Sequence, residues 1–161
     1  IAIEVDDFFF FFFLTENASQ FPIFMSDRNP SENPEWEKNF NLWPFGFVDR
    51  IAPASGLPPL AGYIAESNAR WGDLNWFTKA NLGDNPWEHH LVQRFWWSEF
   101  RRAVLLKNAA AQLISKNPTD ARLAIEASLA ILENEVKAFP GSKEVLDLRT
   151  QAQKVLMRLA R

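Results

Sequence analysis

The sequence predicts a mainly α-helical protein: a small C-terminal bundle of about three to four helices, with an antiparallel hairpin at the C-terminus, preceded by an aromatic, proline-rich irregular N-terminal region. Three observations carry this. Helix starts are marked by a repeated Asn-Pro device, "NPWE" at Asn85 and "NPTD" at Asn117. From residue 118 onward, apolar side chains recur within each helix at spacings of three or four, the signature of one helical face. Of the 15 Phe, seven Trp and one Tyr, all but Phe139 lie in positions 1–100, and eight of the ten prolines precede residue 90. The chain therefore divides into 1–57, an extended region docking on a partner, and 58–161, a helical domain.

The first feature of the N-terminal region is "VDDFFFFFFLTEN", in which Phe8, Phe9, Phe10, Phe11, Phe12 and Phe13 stand in unbroken succession. As a strand, this run points three rings to each face; as a helix, it is apolar all round. Each ring offers about 150–250 Å² of buriable surface, so half the run amounts to roughly 450–750 Å². Leaving that half in water forgoes on the order of 10–20 kcal/mol, more than a marginally stable domain tolerates. One face is expected to meet the chain's own helices and the other a separate surface, a further subunit or the hydrocarbon edge of a membrane. Asp6, Asp7 and Glu16 mark the return to water.

The stretch "FPIFMSDRNPSENPEWEKNFNLWPFGFVDRIAPASGLPP" continues the pattern, with large apolar residues between prolines. It is expected to be a long irregular loop laid along a partner, with a short helical turn opened by Asn33. Phe21, Phe24, Trp36, Trp43, Phe45 and Phe47 are the partner-contact residues. So many aromatics argue against disorder.

Four helices follow. A weaker one is expected over 58–70, through "PPLAGYIAESNAR". A long one covers 86–116: Asn85 caps it, Pro86 has no N–H to lose, and Glu88 favours the positive helix end. Within it Phe95, Trp96 and Trp97 together sweep roughly 200° and cannot share one neighbour. Packing on "LWPFGFV" of the same chain accounts for most of these rings, and an external partner for the rest. The third helix spans 118–138, with Ala121, Ile125, Leu129, Leu132, Val136 and Phe139 on its apolar face. "FPGS" ends it and offers Ser142 as the cap of the fourth, 143–160. There Val145, Leu148, Ala152, Val155 and Leu159 form a seam for a neighbour.

The hairpin of these last two helices, in its lengths and in Pro140 after the first helix, resembles one tetratricopeptide unit. The resemblance covers about 40 residues and lacks that family's Trp–Leu–Gly–Tyr pattern in the first helix. It implies a helical interaction protein.

Candidate chemistry is sparse. A net charge of −3 with mixed signs argues against nucleic acid as a partner. Cysteine is absent, which removes thiolate ligands, disulfides and a cysteine nucleophile. No stretch approaches the roughly 20 apolar residues of a spanning helix. His89 and His90 are the only histidines; as helical neighbours they point about 100° apart and do not form the i, i+4 metal pair. One of them alone would serve as axial ligand to a macrocycle such as haem or chlorophyll. "GLPPLAG" lacks the N–H donors of a phosphate cradle, and no Gly-x-Ser-x-Gly elbow occurs. Arg70, Asp73, Glu88 and His89 are grouped by sequence proximity alone. Glu133 with Lys137, and Arg122 with Glu126, have the spacing of surface ion pairs.

The expectation is thus a non-catalytic accessory or structural subunit, bound peripherally to a larger, membrane-embedded photosynthetic or respiratory complex through its aromatic N-terminal half. Its partners are other protein subunits and lipid at the membrane edge. Its place is peripheral to a membrane, in an organelle lumen or stroma or in the periplasm. The alternatives are a pigment- or haem-binding module using His89 or His90, and a tetratricopeptide-like interaction protein.

Overall fold

The computed structural model of the 161-residue chain describes residues 16, 23–26, 39–53, 58–74 and 86–160. The chain forms two units, 1–58 and 59–161. The runs Phe8–Phe13 and the positions Phe21, Asn33, Trp36 and Asn85 lie outside the described residues.

Part of the first unit, expected as irregular loop, is a three-stranded antiparallel sheet. Its strands are β1 (Ile23–Ser26), β2 (Phe40–Phe45) and β3 (Val48–Pro53), in the order β1-β3-β2. The reason lies in the turn. Gly46 has φ 74°, and Phe45 pairs with Val48, so Gly46 and Phe47 form a two-residue hairpin loop. Such loops need positive φ at a central position, which glycine adopts without steric cost. Pro44 is tolerated because β2 is an edge strand and its missing N–H breaks no ladder. The register sets Phe24, Arg50, Trp43 and Phe45 on one face and Phe40, Leu42 and Ile51 on the other. Across β3, the rings of Phe24 and Phe45 lie 5.2 Å apart, tilted by 47°.

The second unit is the helical bundle: α1 (Leu60–Leu74), α2 (Pro86–Leu113), α3 (Pro118–Ala138) and α4 (Lys143–Leu159). α3 packs against all three other helices, and α2 also touches α4. The expected bounds hold for α3 and, to one residue, for α4, because their ends are written locally. Asn117 Oδ1 accepts from Asp120 N at 3.2 Å, and Ser142 Oγ accepts from Val145 N at 3.4 Å. α1 runs beyond the expected Arg70 because Leu60, Tyr63, Ile64, Ser67 and Trp71 form one buried stripe. α2 ends three residues early, where Asn117 N turns back to the Leu113 carbonyl at 2.8 Å.

Small residues let the helices approach. Ala103, Ala110, Ala121, Ala124 and Ala152 are fully enclosed, and the Ser128 hydroxyl donates to the Ala103 carbonyl at 2.8 Å, tying α3 to α2. On α3 the buried face is Ala121, Ala124, Ile125, Ser128, Ile131, Leu132 and Glu135. The expected line through Leu129, Val136 and Phe139 is rotated outward: the first two are half-buried and Phe139 is exposed. A helix with three neighbours buries a wider arc than a single seam. Glu133, expected to pair with Lys137, instead accepts from Arg149 Nε of α4 at 2.8 Å. Arg122 and Glu126 form their exposed surface pair at 3.7 Å. Val145, Leu148, Ala152 and Val155 make the α4 seam.

Candidate binding site

The three consecutive rings of α2 part company. Phe95 is buried and meets Trp71 of α1 edge-on, with ring centres 4.9 Å apart. Trp96 meets Phe139 edge-on at 5.6 Å, at the end of α3. Trp97 stacks on Phe100 at 5.9 Å and stays 62% exposed. The neighbours that Phe95 and Trp96 require are therefore α1 and the α3–α4 corner.

That corner is tight. Ser142 N donates to the Phe139 carbonyl at 3.1 Å, so the start of α4 is folded back beside the end of α3. Between this corner and α2 lies a pocket of about 450 Å³. α2 lines it with Gln93, Trp96, Trp97 and Phe100, α3 with Glu135 and Phe139, and α4 and its cap with Ser142, Glu144 and Val145. Four rings and two carboxyls dominate, and no Lys, Arg or His is among these residues.

Glu135 is the chemically unusual member. It is 2% exposed, and its Oε1 is buried with no hydrogen-bond partner. Burial pushes its carboxyl up to about 8, assisted by the negative charge of Glu99, because an enclosed site disfavours the ionised form. Glu99 is raised to about 7 by burial, against the opposing charge and hydrogen bond of Arg102.

Arg102 is the hub of the polar core. Nη1 donates to Ser67 Oγ and to Asn68 Oδ1, each at 2.9 Å, and Nη2 donates to Glu99 Oε2 at 3.2 Å. Nε also stands 2.8 Å from Glu99 Oε1, an ion contact that lacks hydrogen-bond alignment, since neither atom has a hydrogen-bonded partner. The guanidinium lies over the Trp71 ring at 5.6 Å.

A second feature is the outer arc of α2. Trp87, His90, Arg94, Trp97 and Arg101 follow at three- and four-residue steps, an arc about 80° wide. Trp87 is 74% exposed, and its ring meets that of His90 at 6.3 Å.

The expected contact residues fare unequally. Phe24 is exposed, while Phe45 and Phe47 are half-buried. Trp43 is only 2% exposed, so in this structure it is a packing residue and not a surface anchor. His89 and His90 are both exposed on α2 and do not line the pocket; neither shares its apolar wall. Arg70 is exposed on α1, whereas Glu88 and His89 stand at the start of α2. No group of three or more His, Asp or Glu poised to hold a metal occurs among the described residues.

Sequence reasoning missed Glu99, Arg102 and Glu135. A signal was present: Glu99 and Arg102 fall in step with Phe95, Ala103 and Leu106, and Glu135 follows Ile131 and Leu132 at helical spacing. A charged residue on an apolar stripe was the sign to follow. Comparison of the chain with protein-family models, with curated proteins and with solved structures gives no match.

Proposed function

We propose that this protein is a non-catalytic accessory subunit that docks peripherally on a larger, membrane-embedded assembly through exposed aromatic side chains. The observation that carries the reading is the pair Trp87 and Trp97, 74% and 62% exposed and about 15 Å apart along α2. They are interleaved with Arg94 and Arg101 on one arc. Tryptophan and arginine are the residue types enriched at the centres of protein interfaces. The phenylalanine run of the sequence and the exposed Phe24 support the same reading. Among the described residues, no helix is long and apolar enough to cross a membrane, which agrees with peripheral attachment.

The test is isolation of the tagged full-length chain from its native cells under mild detergent, followed by native electrophoresis. The expected result is migration with a large assembly in stoichiometric amount, lost when Trp87 and Trp97 are both replaced by alanine. Migration of the wild-type chain as a free, monodisperse species without detergent overturns the reading.

A further inference from the structure

We infer that the pocket between α2 and the α3–α4 corner binds a small apolar organic amine, held as its ammonium ion with an N–H donating to Glu135 and its hydrocarbon part among Trp96, Trp97 and Phe100. The pocket shares Trp97 with the protein-docking arc and differs from it in its acidic lining, Glu135 and Glu144.

Charge complementarity comes first. Glu135 and Glu144 both line the pocket without a basic residue, so the cavity favours a cation. The groups facing Glu135 agree. α2 presents Glu99, whose charge is countered by Arg102; α4 contributes Glu144; and α1 buries no charged side chain among the described residues. Once Glu135 ionises, the Arg102–Glu99–Glu135 cluster carries one uncompensated negative charge, which a bound ammonium neutralises.

The second point is the open acceptor. Glu135 Oε1 is buried and unpartnered, a state that costs about 1–3 kcal/mol until a donor arrives. An ammonium N–H is such a donor; a quaternary ammonium is not. Oε1 is sealed from the surface, but the terminal torsion of a glutamate is soft and roughly two-fold, so the carboxyl can turn toward a ligand.

Third, the walls suit a cation with an apolar body. Trp, Tyr and Phe faces attract ammonium groups within about 6 Å of the ring centre, Trp most strongly. A volume of about 450 Å³ is within the range of small-molecule pockets.

Binding has a proton balance. At neutral pH Glu135 holds its proton. The ammonium enters with its own charge, the O–H bond of the carboxyl breaks, and one proton passes to solvent. Affinity therefore rises about tenfold per pH unit below about 8 and levels above it.

The experiment is calorimetric titration of the full-length chain with phenethylamine, with neutral phenethyl alcohol and with the N,N,N-trimethyl derivative, across pH 6 to 9. Expected are saturable binding of the amine with about one proton released near neutral pH, and at least tenfold weaker binding of both analogues. E135Q, an isostere of the protonated side chain, should weaken the amine at least tenfold and flatten its pH dependence. W97A, at an exposed ring, should weaken it while leaving the fold intact by circular dichroism. No heat with millimolar phenethylamine overturns the inference. So does equal binding of the alcohol, unchanged affinity in folded E135Q, or affinity that falls as pH rises.

Discussion

The guanidinium of Arg102 donates from Nη1 to the hydroxyl of Ser67 at 2.9 Å, joining α2 to α1 across 35 residues of sequence. That hydroxyl in turn donates to the Ile64 carbonyl at 3.2 Å, so Ser67 is used on both sides. The same guanidinium holds Glu99 one turn earlier on α2. A buried cation is thereby paired and hydrogen-bonded, the condition under which burial of charge is tolerated.

Removing one partner is therefore costlier than removing both. Arg102→Met leaves Glu99 buried without its counter-charge and should lose about 3–5 kcal/mol of stability in urea unfolding. The loss should be larger at pH 8 than at pH 6, since Glu99, held near 7, escapes the penalty by protonation in acid. The double replacement with Glu99→Leu should recover most of the loss. A single variant within about 0.5 kcal/mol of wild type contradicts the hub assignment.

Glu135 and Glu99 make stability pH-dependent with a definite sign. Both hold their protons in the folded state to higher pH, about 8 and about 7, than the ordinary 4.5. Between these limits the folded chain binds more protons than the unfolded one, so stability falls as pH rises. The slope reaches about 1.4 kcal/mol per pH unit for each group and vanishes above about 8. Glu135→Gln should match wild type near pH 4.5 and exceed it by several kcal/mol at pH 8. Thermal unfolding across this range checks it; stability rising from pH 5 to 8 contradicts it.

The cap of α3 is a local test. Asn117 accepts from Asp120 N, and its Nδ2 also donates to Asp120 Oδ2 at 2.7 Å. Asn117→Ala should cost about 1 kcal/mol in denaturant titration, and Asn117→Ser only a fraction of that. Equal losses in both would show that the side-chain acceptor is not the cause.

Overpacking gives the opposite control. Ala124 is wholly enclosed on α3, and Ala124→Leu should cost about 1–3 kcal/mol by unfolding. Trp87→Ala, at an exposed ring, should stay within about 0.5 kcal/mol while weakening retention in the proposed assembly. A destabilised Trp87 variant would recast that ring as part of the core.

The legible parts of this protein are those whose signals are short. Asn117, Pro118 and Asp120 write the start of α3 within four residues, and Ser142 writes the start of α4. Both ends stand where the letters put them. The hairpin was harder to see, because Gly46 and Phe47 make a turn without the usual Asn-Gly or Asp-Gly, and Pro44 disguises an edge strand. Its third strand, β1, joins from more than 20 residues away by a pairing that no local pattern specifies.

The sequence by itself determined where α3 and α4 begin and end, to within one residue, and which seam α4 offers, since capping and helical period act over one or two turns. Only the tertiary structure decided that Trp96 would turn to Phe139 while Trp97 faced water, and that Glu99, Arg102 and Glu135 would be enclosed together. Those outcomes depend on how many neighbours a helix acquires. Burial, which sets the energy of a charge, is a property of the assembled bundle and not of any one segment.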